Sequence, residues 1–121
     1  MKVRIQLVFE AEDGKPEVIE EVGQLQRGPL RASELGLSLA EAKSLLHGMQ
    51  QSMVAEQVDQ YLGQFKICTL CGAARTKKGQ HTVVYRTLFG KLNLHSPRLY
   101  DCPCQSHGRR SSSPLSKLLT S

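Results

Sequence analysis

The chain predicts an α+β fold in two parts, an N-terminal β-hairpin packed with one long amphipathic helix and, after it, a small β-rich module. Three observations carry this. Apolar and polar residues alternate from Val3 to Phe9 ahead of an Asp-Gly pair, apolar residues recur at helical spacing from Ala42 to Phe65, and four cysteines in two close pairs bracket a β-branched insert.

Val3, Ile5, Leu7 and Phe9 alternate with Lys2, Arg4, Gln6 and Glu10, the period of a half-buried strand, broken only at Val8. Glu12-Asp13-Gly14-Lys15 reads as the turn and Glu17 to Val22 as the antiparallel return. Gly28-Pro29 opens a connector that runs through Gly36. Ser38-Leu39-Ala40-Glu41 has the spacing of a capping box, in which the serine oxygen and the glutamate satisfy each other's orphan amides, so a helix begins there. Ala42, Leu45, Leu46, Met49, Met53, Val58, Tyr61, Leu62 and Phe65 form its apolar stripe, a core face or a dimer seam, to about Gly63. Gly48 weakens that helix without ending it. His47 stands at the edge of the stripe and enters no site. Residues 1–64 make up this first part.

The cysteines read Cys68-Thr69-Leu70-Cys71, thirty intervening residues, then Cys102-Pro103-Cys104. Two short loops, each aiming two sulfurs, suit a tetrahedral Zn²⁺ with the insert returning between them as a hairpin. Thr82 to Phe89 is β-branched and aromatic, Gly90 marks a turn, Lys91 to His95 alternates as a second strand, and Pro97 ends it. A module of about 45 residues has too little apolar surface to fold unaided, so structural zinc and fold are expected to be inseparable. The ligands are Cys68, Cys71, Cys102 and Cys104, with His107 as a substitute for one of the second pair and His81 and His95 as distant candidates. Disulfides and a thioredoxin-type redox pair fit less well. The chain has no secretory signature, and the Gly72 to Gly79 stretch reads as a loop rather than a helix. Tyr85, Phe89 and Tyr100 are expected to fill the small core between the ribbon strands.

The 121 residues are 40% hydrophobic and 22% charged, too polar for a membrane protein and too apolar for wholesale disorder. No long apolar run or signal-like start supports membrane insertion or export, so a reducing cytoplasm is expected. The net charge of +5 is unevenly spread. Through Gln64 there are six Lys/Arg against ten Asp/Glu, and beyond it ten Lys/Arg against Asp101 alone. The halves therefore carry −4 and +9, and four thiolates around a dication leave the second at about +7. Such asymmetry is the footprint of a surface that meets phosphate. The candidate contacts are Arg75, Lys77, Lys78, Arg86, Lys91, Arg98, Arg109 and Arg110. Catalysis is not expected, because metal-assisted hydrolysis needs carboxylates or an open coordination position and no nucleophile triad or phosphate-cradling glycine loop is present. Residues 65–107 are read as the ribbon, and 108–121 as a basic, Ser-rich linker and the start of a helix that is cut off.

Leu37-Ser38-Leu39-Ala40-Glu41-Ala42-Lys43, the knuckle Cys68-Thr69-Leu70-Cys71-Gly72, the run Arg86-Thr87-Leu88-Phe89-Gly90-Lys91-Leu92 and the stretch Ser96-Pro97-Arg98-Leu99-Tyr100-Asp101-Cys102-Pro103-Cys104 together resemble the N-terminal region of ISKra-type insertion-sequence transposases. That resemblance covers nearly the whole chain. It implies that a zinc-binding region precedes an RNase H-like catalytic domain absent here, and that Cys68, Cys71, Cys102 and Cys104 match the ligand positions. The resulting expectation is a non-catalytic, truncated module that recognises or positions duplex DNA, with no membrane or small-molecule substrate. The alternative is a protein-interaction adaptor that forms a homodimer or docks a catalytic transposase chain, with zinc purely structural.

Overall fold

The structure is a computed structural model that describes residues 1–10, 12, 17–105 and 110–120. It is an α+β protein whose elements run β1 (Lys2–Phe9), β2 (Val18–Gln26), α1 (Leu39–Gly63), β3 (Lys77–Thr87), β4 (Gly90–Tyr100), β5 (Ser111–Ser112) and α2 (Pro114–Leu119). The chain divides into two compact units, Met1–Val54 and Ala55–Ser121. No helix among the described residues is long and apolar enough to cross a membrane.

In the first unit β1 and β2 pair antiparallel, and Val3, Ile5, Leu7 and Phe9 are half-buried while their neighbours are exposed, as the alternation predicts. The expected Asp13-Gly14 turn lies outside the described residues. The register shifts between Ile5 and Gln6, which face Gly23 and Glu21, so Val22 is the extra residue of a bulge. The helix approaches β2 at that bulge. A Cβ on Gly23 would overlap Leu45, and one on Gly48 would lie 2.8 Å from the Val22 carbonyl oxygen. The capping box forms as its spacing predicts: the Glu41 amide donates to Ser38 Oγ at 3.1 Å and the Ser38 amide to Glu41 Oε1 at 2.9 Å.

Helix α1 has the expected bounds, but the single apolar stripe is corrected to two. At about 100° per residue, Leu39, Ala42, Leu45, Leu46, Met49 and Met53 share one sector, while Val54, Val58, Tyr61 and Leu62 share another roughly 140° around the axis. The change of face falls where one unit gives way to the next. Neither face is deeply covered, and α1 has no buried residue.

In the second unit β3, β4 and β5 form one antiparallel sheet in that order, and α2 packs on β4. Leu92, Leu94 and Ser96 point inward at every second position of β4, and Leu99, Pro114, Leu115, Cys68 and Cys102 complete the interior among the described residues. The Ser96 hydroxyl is satisfied by Ser113 Oγ at 2.7 Å, so its burial carries no unpaired polar atom.

Three local expectations change. First, β4 does not end at Pro97 but continues to Tyr100. Pro97 lies beside the β3 irregularity between Lys77 and Gly79, and β5 pairs only with Leu99 and Tyr100, so the missing amide breaks no continuous ladder. Past it the alternation slips, leaving Arg98 exposed and Leu99 buried. Secondly, the expected terminal helix forms as α2, but the run before it is not all linker: Ser111–Ser112 joins the sheet, and Leu115 in α2 is fully buried. Thirdly, Tyr85 and Phe89 lie exposed and Tyr100 half-buried, because leucines of β4 and α2 occupy the interior instead.

Candidate metal centre

The first cysteine pair sits on a knuckle built by the backbone. The Gly72 amide donates to the Cys68 carbonyl at 2.9 Å, the Cys68 amide to the Ala73 carbonyl at 2.8 Å, and Ile67 bridges Ala74 across the loop. Gly72 has φ +76, a left-handed turn that only glycine enters without strain. The second pair sits on a turn closed by the Gln105 amide on the Cys102 carbonyl at 2.9 Å. It follows directly on β4, so the hairpin returns one pair to the other as its two-strand insert predicts.

The four sulfurs of Cys68, Cys71, Cys102 and Cys104 lie within 4.8 Å of one another. Cys68 and Cys104 approach to 3.5 Å, and Cys71 and Cys102 to 3.4 Å. A disulfide needs about 2.05 Å between sulfurs, and all four cysteines are free. The cluster can hold a metal ion.

Its electrostatics show what a cation would relieve. Cys68 is held down to about 6 by the amides of Cys71 and Leu70, which donate to its sulfur. Cys104 is pushed far up by the thiols of Cys102, Cys68 and Cys71. The Cys104 amide favours a Cys102 thiolate, yet the crowding thiols of Cys71 and Cys68 together with burial raise that group overall. One thiolate is easily formed and further ones repel it. A dication at the centre removes the repulsion, so metal binding must expel protons.

Gln105 is a neighbour of the site that the sequence did not single out, and Arg75, expected among the phosphate contacts, is used within the fold instead. Gln105 Nε2 donates to Cys68 Sγ at 3.5 Å. Arg75 stands behind the first knuckle with Nε on the Tyr100 carbonyl at 3.1 Å, one terminal nitrogen on the Phe65 carbonyl at 3.4 Å and the other 3.6 Å from Asp101. Only 14% of its side chain is exposed, so Arg75 fastens the knuckle to β4 and is withdrawn from the phosphate-contact set. Sequence shows only that Asp101 is the sole carboxylate of the basic half; its pairing with Arg75 is visible in the fold alone.

Lys77, Lys78, Arg86, Lys91, Arg98 and Arg110 are all exposed. Lys77 donates to Gln80 at 2.7 Å and Lys78 lies 5.9 Å from the Tyr100 ring centre. None of the six is in an ion pair among the described residues. His107 and Arg109 lie outside the described residues. His81 and His95 sit on β3 and β4, where no metal-ligand group among the described residues includes them.

Compared with protein-family profiles, curated proteins and solved structures, the chain matches none.

Proposed function

We propose that Cys68, Cys71, Cys102 and Cys104 bind a structural Zn²⁺ and that the ribbon so formed is a non-catalytic, duplex-DNA-binding module, of the kind that precedes the catalytic domain in ISKra-type transposases. Zinc is supported by the donor set and its spacing. Sulfurs at 2.3 Å from a tetrahedral ion stand about 3.8 Å apart, which the present cluster reaches by shifts of a few tenths of an ångström between its closest pairs. Four thiolates fill the coordination sphere and leave no position for a reacting water. Free thiols suit a reducing compartment such as the cytoplasm.

The observation that carries DNA binding is a one-signed surface. Beyond Asp59, at the start of the cysteine-bearing unit, eight exposed cations (the six named above with Lys66 and Lys117) have no ion-pair partner among the described residues, while the sole carboxylate of that stretch, Asp101, is engaged by Arg75. Fluorescence anisotropy of the zinc-loaded chain on a labelled 30-base-pair duplex tests this. If six cations meet phosphates, the log–log dependence of affinity on salt has a slope of about −5. Affinity unchanged between low and moderate salt, or no binding at low salt, overturns the reading.

One observation favours the adaptor. Leu39, Leu46 and Met53 are exposed and spaced seven residues apart on α1, which is the repeat of a helix–helix seam. A stable dimer in sedimentation, indifferent to added duplex, selects that function instead.

A further inference from the structure

The β3–β4 hairpin has two unlike faces. On one, Leu92, Leu94 and Ser96 are buried against the interior. On the other, Gln80, Thr82, Arg86, Lys91, Asn93 and His95 are all exposed, with Val84 between them. Their register is fixed: Thr82 faces His95, Val84 faces Asn93 and Arg86 faces Lys91. No acidic residue occurs anywhere from Lys66 to Tyr100.

The Arg86–Lys91 pairing works against the free fold. Directly opposed residues of an antiparallel pair hold their Cβ atoms about 5 Å apart, and like charges so placed are destabilising. The cost becomes a gain beside a polyanion. Next to this pair the tip is fixed rather than loose. The Thr87 hydroxyl donates to the Gly90 carbonyl at 2.8 Å and accepts the Phe89 amide at 3.1 Å, and Gly90 takes φ +125. That turn holds Leu88 at the apex with 97% of its surface exposed.

Building on the DNA reading above, we infer that the open face of this hairpin is the element that enters a duplex groove, with Arg86 and Lys91 on the phosphates and the Leu88 tip and the polar row on the base edges. The dimensions agree. A two-stranded ribbon is what the major groove of B-form DNA, about 12 Å wide, admits. Eight residues per strand from Gln80 to Thr87 make about 27 Å of ribbon, close to one helical turn of about 34 Å. A-form RNA offers no such entry, because its major groove is too deep and narrow for side chains to read. Charge complementarity therefore selects a polyanion, and shape selects B-form DNA.

The test compares zinc-loaded wild type with Arg86→Gln/Lys91→Gln, with Leu88→Ser and with Arg98→Gln/Arg110→Gln on the same 30-base-pair duplex and on an RNA duplex of equal length. The hairpin pair should bind DNA at least about tenfold more weakly, with a salt slope shallower by about 2, since each lost phosphate contact removes about 0.9. Its free form should melt higher than wild type because the like-charge pair is gone. Leu88→Ser should weaken binding with the slope unchanged, and the RNA duplex should bind more weakly than DNA. In a second readout independent of variant folding, bound duplex should shield Lys91 of the wild type from acetylation more than Lys117 on α2. If wild type binds DNA but the hairpin pair does so with wild-type affinity and slope, or Lys91 is no better shielded than Lys117, or RNA binds equally well, the hairpin assignment is overturned while the DNA reading stands. If wild type binds no duplex, both fall.

Discussion

Every residue that is buried among the described ones lies in Ala55–Ser121, and none lies in Met1–Val54. The first unit has the more apolar strand and much of the longer helix, yet its apolar side chains stop at half-burial, and Val8, Ile19, Leu39 and Leu46 are exposed. In the second, two of the buried residues are cysteines of the candidate metal site. The difference teaches that a small unit can gain an interior in two ways. It can close its sheet under a helix, as α2 does over β4, or it can draw distant loops together around an ion. The hairpin of the first unit has only two strands and does neither to completion.

The largest expected effect belongs to the proposed zinc. Structural zinc contributes roughly 10–16 kcal/mol of apparent free energy in small modules, more than any one buried leucine supplies. Chelation of the zinc-loaded chain should therefore abolish amide protection in β3 and β4 while leaving that of β1 and β2 largely intact, as read by hydrogen exchange. Cys68→Ser should act similarly and lose stoichiometric metal. Persistent protection of β3 and β4 in the metal-free chain would mean that the second unit folds on its leucines alone.

Next in size is a contrast between two leucines. Leu115 is fully buried and Leu46 is 40% exposed. Leu115→Ala should cost about 2–5 kcal/mol in denaturant unfolding of the metal-loaded chain, whereas Leu46→Ala should stay within about 0.5 kcal/mol. A large, concentration-dependent loss for Leu46→Ala would show that the first unit completes its interior by self-association.

Much of this could be read from residue order. The alternation of β1, the capping box at Ser38, the bounds of α1 and the convergence of four cysteines all depend on local spacing, which sequence displays directly. What escaped depends on contacts between segments far apart in sequence. The two stripes of α1 are an exception, since they follow from spacing alone once each half of the helix is counted separately. Arg75 counts as a cation in composition, and only the loop carbonyls of Phe65 and Tyr100 reveal that it is consumed within the fold. Arg27 is a parallel case, since it ties the carbonyls of Glu34 and Gly36 and the carboxylate of Glu41 into one connector. Leu115 sits after a Ser-rich run that suggests a linker, and its burial depends on β5 having joined the sheet.

A third prediction sharpens the account of the first unit by reversing a general rule. Replacing glycine by alanine within a helix ordinarily stabilises it by about 1 kcal/mol. At Gly48 the added Cβ would stand 2.8 Å from the Val22 carbonyl oxygen at the β2 bulge, a backbone atom that cannot turn aside. Gly48→Ala should therefore lower the melting temperature of the first unit. At Gly23 the clash is with the flexible end of Leu45, so Gly23→Ala should cost less. A rise in melting temperature for Gly48→Ala would place α1 farther from the sheet than this geometry allows.

The smallest effect is electrostatic and belongs to the first unit alone. Glu41 is held down to about 2, first by its hydrogen bond from Arg27 at 2.6 Å and then by the Ser38 amide. Its ordinary value is 4.5. Because the folded value is the lower one, the unfolded chain binds the proton more readily, and stability present above about pH 4.5 is lost as pH falls toward 2. A metal held by the four thiolates would be lost at acidic pH for a separate reason, protonation of those thiolates, so global unfolding would mix the two. Hydrogen exchange in the first turn of α1 isolates the carboxylate. Glu41→Gln should show reduced protection near pH 6, and the gap to wild type should narrow steadily as pH drops below 4.5. A gap that stays constant from pH 6 to 3 would mean that the connector is held by the Arg27 contacts to Glu34 and Gly36 rather than by the ion pair.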